Sequence, residues 1–290
     1  MPLHAMPFSN GEVLIDKFIV SYAPSSQVLQ SLQKRQKNNL ENSLIIRNPS
    51  GKLEFLHFAE LEADFLVSLF SKAQMLSSDS ANKSNLIAGI SQQIPNCLHF
   101  ACHAGFNPDN PLYSSLALAG EEKDYLSFSE IISLSLQGCS LVTLSACESG
   151  IVFVESVSDE YIGLPSAFLF AGSPSVVSSL WTVNDLSTSF LMIKLYEILF
   201  DENQQVSVPV ALKQAQNWLQ NLTVKEAEKN LESQTFQQAL IQLQQTLSKK
   251  ELFELEDAIA VRQTKWKTMA TEDKPFNNPF YWAAFIASGV

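Results

Sequence analysis

Cysteine is scarce in this sequence, four residues in 290, and no two of them form a C-x-x-C pair. None follows a secretory segment, so a disulfide scaffold is excluded and a reducing, cytoplasmic setting is expected. Long apolar runs are also missing. The longest charge-free stretch, Tyr161 to Asn184, contains Pro165, Pro174 and six serines or threonines. It reads as a helix, a turn and a strand inside a core, not as a membrane span. Basic side chains are few, 19 against 30 acidic ones, for a net charge of -11. Residues 1–100 carry 8 acidic and 8 basic groups, residues 101–200 carry 11 and 2, and residues 201–290 carry 11 and 9. A middle third at -9 repels nucleic acid and favours basic or neutral substrates, although ordinary solubilising surface accounts for the same charge.

What the chain does have is 46% apolar residues, enough for one sizeable core. Leu141 to Gly150, LVTLSACESG, is an apolar β-favouring run that breaks into small residues, with Cys147 at the break. Cys97 to Phe106, CLHFACHAGF, has the same form with His103 at its break. In parallel α/β sheets ligands bind beyond the carboxyl ends of the strands. Two neighbouring strands of that kind would present a thiol and an imidazole at one edge, the pairing a cysteine nucleophile needs. Alternation puts Cys97, His99, Ala101 and His103 on one face and Cys102 on the other. His99, inside the strand between Leu98 and Phe100, is the competing imidazole and is expected to be a hydrogen-bonded core residue. A zinc site is excluded, because Cys97 and His103 are roughly 20 Å apart on an extended strand.

The run H-A-G-F-N-x-x-N-P-L-x-S-x-L-x-L-A-G from His103 to Gly120, followed by L-S-A-C-E-S-G, resembles the CHAT family, the caspase-like domain usually found after tetratricopeptide repeats. The resemblance continues through Asp159 to Pro165, Ser179 to Asp185 and Tyr281 to Phe285, nearly the whole chain. It implies a caspase-like three-layer α/β sandwich with a mostly parallel central sheet. It also implies a cysteine endopeptidase with a His103–Cys147 dyad, acting through a thioester and needing no cofactor or metal. Backbone N–H groups of Ala104, Gly105 and Cys147 would hold the oxyanion. Many relatives have glycine where Ala104 stands, and a positive φ there would strain the alanine. Asp159 and Glu160, with Trp181 and Asp185, are the candidate substrate contacts. Metacaspases carry aspartate two residues before the cysteine, where this chain has Ser145, which weakens the case for a basic residue before the cut.

Read in order, Pro2 to Pro7 resembles the family's P-L-H-A-L-P, which a further strand and helical repeats normally precede. A single domain over 1–290, shortened at its amino terminus, is therefore expected. His4 reads as packing. Residues 17–23 and 44–46 read as strands, 24–36 as a polar helix, and Glu60 opens an amphipathic helix. Ser127 and Glu130 form a capping box, and Asp185 reads as the N-cap of a helix over 186–200. Residues 201–274, rich in glutamine, lysine and glutamate, read as a helical insertion: a helix of about 20 residues after Thr223, a stripe at Phe236, Leu240, Leu243 and Leu247, then a closing strand over 280–288. Partners are a protein or peptide substrate and a tetratricopeptide-repeat region or activator, with neither nucleic acid nor membrane. The rival reading is a catalytically dormant scaffold or signalling module of the same fold.

Overall fold

The computed structural model describes residues 2–36, 38–49, 55–105, 107, 110–120, 125–146, 153–154 and 161–290. Strands Asn42–Pro49 (β1), Lys72–Ser78 (β2) and Cys97–Ala101 (β3) alternate with helices Leu14–Lys17 (α1), Ser26–Gln33 (α2), His57–Leu69 (α3) and Lys83–Gln92 (α4). Ala104–Gly105 (β4), Ser115–Ala117 (β5) and Tyr125–Ser127 (β6) form a small antiparallel sheet before Phe128–Ile132 (α5). Leu141–Ser145 (β7) follows, then the β-ribbon Phe153–Val154 (β8) and Tyr161–Ile162 (β9), then Leu164–Ala171 (α6), Ser175–Ser179 (β10) and Asp185–Leu199 (α7). Four helices come next: Val208–Asn221 (α8), Val224–Leu231 (α9), Gln234–Thr246 (α10) and Lys249–Trp266 (α11). Pro279–Trp282 (α12) and Phe285–Gly289 (β11) complete the order.

The central sheet runs β11-β10-β7-β3-β1-β2, all parallel except β11, which pairs antiparallel with β10. Each inner strand is buried on both faces, hence its continuous apolar run. Ile45, Cys97, Leu141 and Val177 meet α3, α7 and α8, while Leu44, Leu98, Phe100, Val142 and Leu144 meet α4, α5 and α6. The result is a three-layer α/β sandwich. The helices between β10 and β11 join the first of these cores through Leu212, Leu219, Phe236, Leu243 and Leu255.

Three expected elements differ from what the molecule forms. Residues 17–23 make a single bridge, Tyr22 to Ser288, instead of a strand, and Phe18 and Ile19 stay exposed. Thr223 does open a capped helix, but it is eight residues long, and Ser233 caps a second helix by accepting Phe236 N–H at 3.3 Å. The closing strand begins only at Phe285, because Asn278 accepts Phe280 N–H at 2.9 Å and Pro279 opens a short helix.

His4 is buried, as packing requires, with Nε2 donating to Ala283 O at 3.1 Å and its ring edge-on to Trp282. Burial pulls its pKa from 6.5 down to about 4, against the opposing pull of the Ala283 bond. As pH falls through 6.5 the unfolded chain takes up a proton that the folded one refuses, so stability is lost between about 6.5 and 4. The full loss is about 3 kcal/mol. In His4→Gln, melting temperature is expected to fall less steeply over this range than in the wild type; equal slopes would refute the assignment.

Candidate active site

The pairing of β3 with β7 fixes the geometry. His99 lies opposite Thr143 and Ala101 opposite Ser145 in parallel register. Side chains at alternate positions share a face, and on the α3/α7 side these are Cys97, His99 and Ala101 of β3 with Leu141, Thr143 and Ser145 of β7. Two residues beyond Ala101 comes His103, partly exposed at the carboxyl edge of the sheet. Two residues beyond Ser145 in sequence comes Cys147, which lies outside the described residues, as do Asp159 and Glu160.

Directly after His103 the chain turns into β4, where Ala104 pairs with Leu116 and Gly105 with Ser115, and His103 O accepts Ala117 N–H at 2.9 Å. The only described non-glycine residues with positive φ are Asn48 and Ser78, so Ala104 carries no left-handed strain. A Cβ built on Gly105 would meet nothing within 4 Å, leaving open space beside that backbone.

Trp181 and Asp185 both follow the carboxyl end of β10, at the same edge. Trp181 is half-buried, packs against the core and donates Nε1–H to Phe280 O at 3.0 Å. Asp185 does not N-cap its own helix. Asn184 does so, accepting Ser187 N–H at 3.2 Å, while Asp185 Oδ2 accepts Phe58 N–H at 2.9 Å and caps α3, whose own N-cap position, Leu56, has no side-chain acceptor.

Beneath this edge the apolar core gives way to buried polar groups that sequence reasoning missed. Glu62 of α3, 1% exposed, places Oε1 2.8 Å from His99 Nε2, off the line of a good hydrogen bond, and Oε2 accepts Ser145 Oγ–H at 3.1 Å. His99 Nδ1 is 3.1 Å from the Tyr196 hydroxyl, which also meets Thr143 Oγ1 at 2.8 Å and Cys97 Sγ at 3.2 Å. Burial pushes the Tyr196 pKa well up, so it remains a protonated hub. Next to this chain Arg47 of β1 contacts Glu60 at 2.9 Å and Asp64 at 2.7 Å, and burial raises both carboxyl pKa values against the pull of the arginine. The one local signal for Glu62 was an acid sharing a helical stripe with Ala59, Ala63 and Leu66, all buried.

Cys97, Cys102 and Cys139 are buried free thiols. Burial raises all three pKa values, to about 12 for Cys102 and Cys139 and beyond that for Cys97, so none is a ready nucleophile. Among the described residues no group of three or more His, Cys, Asp or Glu is arranged to hold a metal, and no helix is long and apolar enough to cross a membrane.

A family model for the CHAT domain matches residues 1–290. The chain belongs to the CHAT domain family. No curated protein matches it. Among solved structures, the Saccharomyces cerevisiae separase–securin complex aligns with 70% of this CHAT chain and 13% of the other at 20% identity, TM-score 0.50. The Arg-specific cysteine proteinase gingipain R aligns with 61% of this chain and 41% of its own at 13% identity, TM-score 0.45. The complex of Porphyromonas gingivalis RgpB pro- and mature domains aligns over 90% and 51% at 10% identity, TM-score 0.46. At these identities the likeness concerns the fold. The CHAT chain has a caspase-like peptidase fold and spans only a fraction of the separase chain it matches.

Proposed function

We propose that this CHAT domain is a cysteine endopeptidase with Cys147 as nucleophile and His103 as general acid and base. The observation that carries the reading is the β3–β7 register: Ala101 lies opposite Ser145 at the strand ends, on the side where parallel sheets bind ligands, and His103 and Cys147 each follow two residues later in sequence. His103 takes the thiol proton, the thiolate attacks the peptide carbonyl carbon, and backbone N–H groups of Ala104, Gly105 and Cys147 hold the oxyanion. The imidazolium then protonates the leaving amine. Water, deprotonated by His103, cleaves the thioester, releasing the new carboxylate and restoring the thiol.

Trp181 walls the cleft beside the scissile bond, with Asp185 anchored behind it on α3. Asp159 and Glu160 meet a basic side chain of the substrate. The chain works as one domain with residues 201–274 inserted in it, in the cytoplasm, under a repeat region or activator protein, and without a cofactor.

The test is to digest a diverse peptide library at neutral pH before and after mild iodoacetamide treatment, read by mass spectrometry. The expected result is cuts at defined positions that disappear in step with alkylation of Cys147, while buried Cys97, Cys102 and Cys139 stay unmodified. Cuts that survive complete alkylation of Cys147 would sink the proposal. Absence of any cut would favour a scaffold that binds a partner without hydrolysis.

A further inference from the structure

The end of β7 is held from both sides by side chains rather than by the ladder alone. Ser145 Oγ–H donates to Glu62 Oε2 at 3.1 Å, and Ala146 O accepts Ser179 Oγ–H from β10 at 2.5 Å. These are the two residues immediately before Cys147. Glu62 is itself held, since its second oxygen sits 2.8 Å from His99 Nε2, and His99 is fixed in turn by Tyr196. A carboxylate and an imidazole, each at most 1% exposed, form an expensive way to fill a core, because well-packed apolar residues serve stability at least as well. What the pair supplies that leucine would not is direction: one acceptor oxygen at a fixed place beneath the strand end.

We infer that Glu62 is a positioning residue for the nucleophile-bearing end of β7, acting through the Ser145 hydroxyl. This rests on the peptidase reading above. Among the described residues the polar partners of Glu62, itself buried, are His99 and Ser145. Glu62 sets the orientation of the backbone two residues before the thiol, and a misplacement of about 1 Å at a nucleophile costs on the order of 100-fold in rate.

The experiment uses the full chain with Glu62→Gln, Ser145→Ala and the double variant, on one peptide taken from the library digest. Each single substitution is expected to lower kcat about 10- to 100-fold with KM within about twofold, and the double to cost no more than the worse single. Ser145→Ala removes one hydroxyl and leaves the Glu62–His99 contact in place, so it reads the effect even where Glu62→Gln folds poorly. Unchanged kcat, a change in KM alone, or losses that multiply in the double variant would overturn the inference. If the wild type cleaves nothing, the peptidase reading fails separately and the iodoacetamide rate at Cys147 decides: slower alkylation in both singles supports the positioning role, and equal rates refute it.

Discussion

Cys147→Ala and His103→Ala are each expected to reduce peptide cleavage by at least about 1,000-fold while leaving the melting transition within a degree or two of the wild type. Without the thiol no thioester forms. Without the imidazole neither the thiol proton nor the leaving amine is served, and that general acid–base contribution alone is worth about 100- to 10,000-fold. The fold should not depend on it, because His103 stands partly exposed past the last residue of β3, outside both apolar cores. Turnover and thermal melting measured on the same preparations check this, together with the pH midpoint for alkylation of Cys147. In His103→Ala that midpoint is expected to climb toward the value of an ordinary thiol, about 8.5. Wild-type turnover in Cys147→Ala would mean that the nucleophile lies elsewhere.

His99→Leu is the opposite case: a large loss of stability, with a loss of cleavage per folded molecule no greater than that of Glu62→Gln and far smaller than that of His103→Ala. His99 is fully buried, 2.8 Å from Glu62 and 3.1 Å from the Tyr196 hydroxyl. Removing one member of a buried pair strands the other, at a cost of about 3–5 kcal/mol. Tyr196 keeps Thr143 and Cys97 as partners, so the penalty falls mainly on Glu62. Denaturant titration beside turnover separates the two quantities. Intact stability with activity lost would transfer the base role from His103 to His99.

The strands that matter most were legible because their signal is local. β3 and β7 are short apolar runs ended by small residues, and parallel strands covered on both faces need nothing subtler. The face assignment of Cys97 and His99 against Cys102 followed from a period of two and holds in the two cores. Misreadings came where composition and context disagree. Phe280 to Trp282 are β-favouring residues, yet Asn278 and Pro279 commit them to a helical turn. Residues 17–23 look like a strand but find one bridge. The polar layer under the site was illegible for a different reason. Whether Glu62, Arg47 and Tyr196 are buried depends on partners 13 to 99 positions away, such as Glu60 for Arg47 and Cys97 for Tyr196, and a single sequence gives their identities without their pairing. Asp185 shows the same limit, since its local pattern suggests a cap on its own helix and its partner is Phe58.

The arrangement of β10 and β11 bears on how the chain reaches this state. They are hydrogen-bonded neighbours, yet six helices separate them in sequence, so during synthesis more than one hundred residues emerge after β10 before its partner exists. Closing so long a loop is entropically slow, and until it closes one edge of β10 offers unpaired amides to any extended chain nearby. Helices α8 to α11 fold on local contacts and dock on the same side of the sheet, which shortens the effective span. Whatever slows that docking, a chaperone bound to α8 or a crowded ribosome, prolongs the interval in which the half-made sheet is open to aggregation.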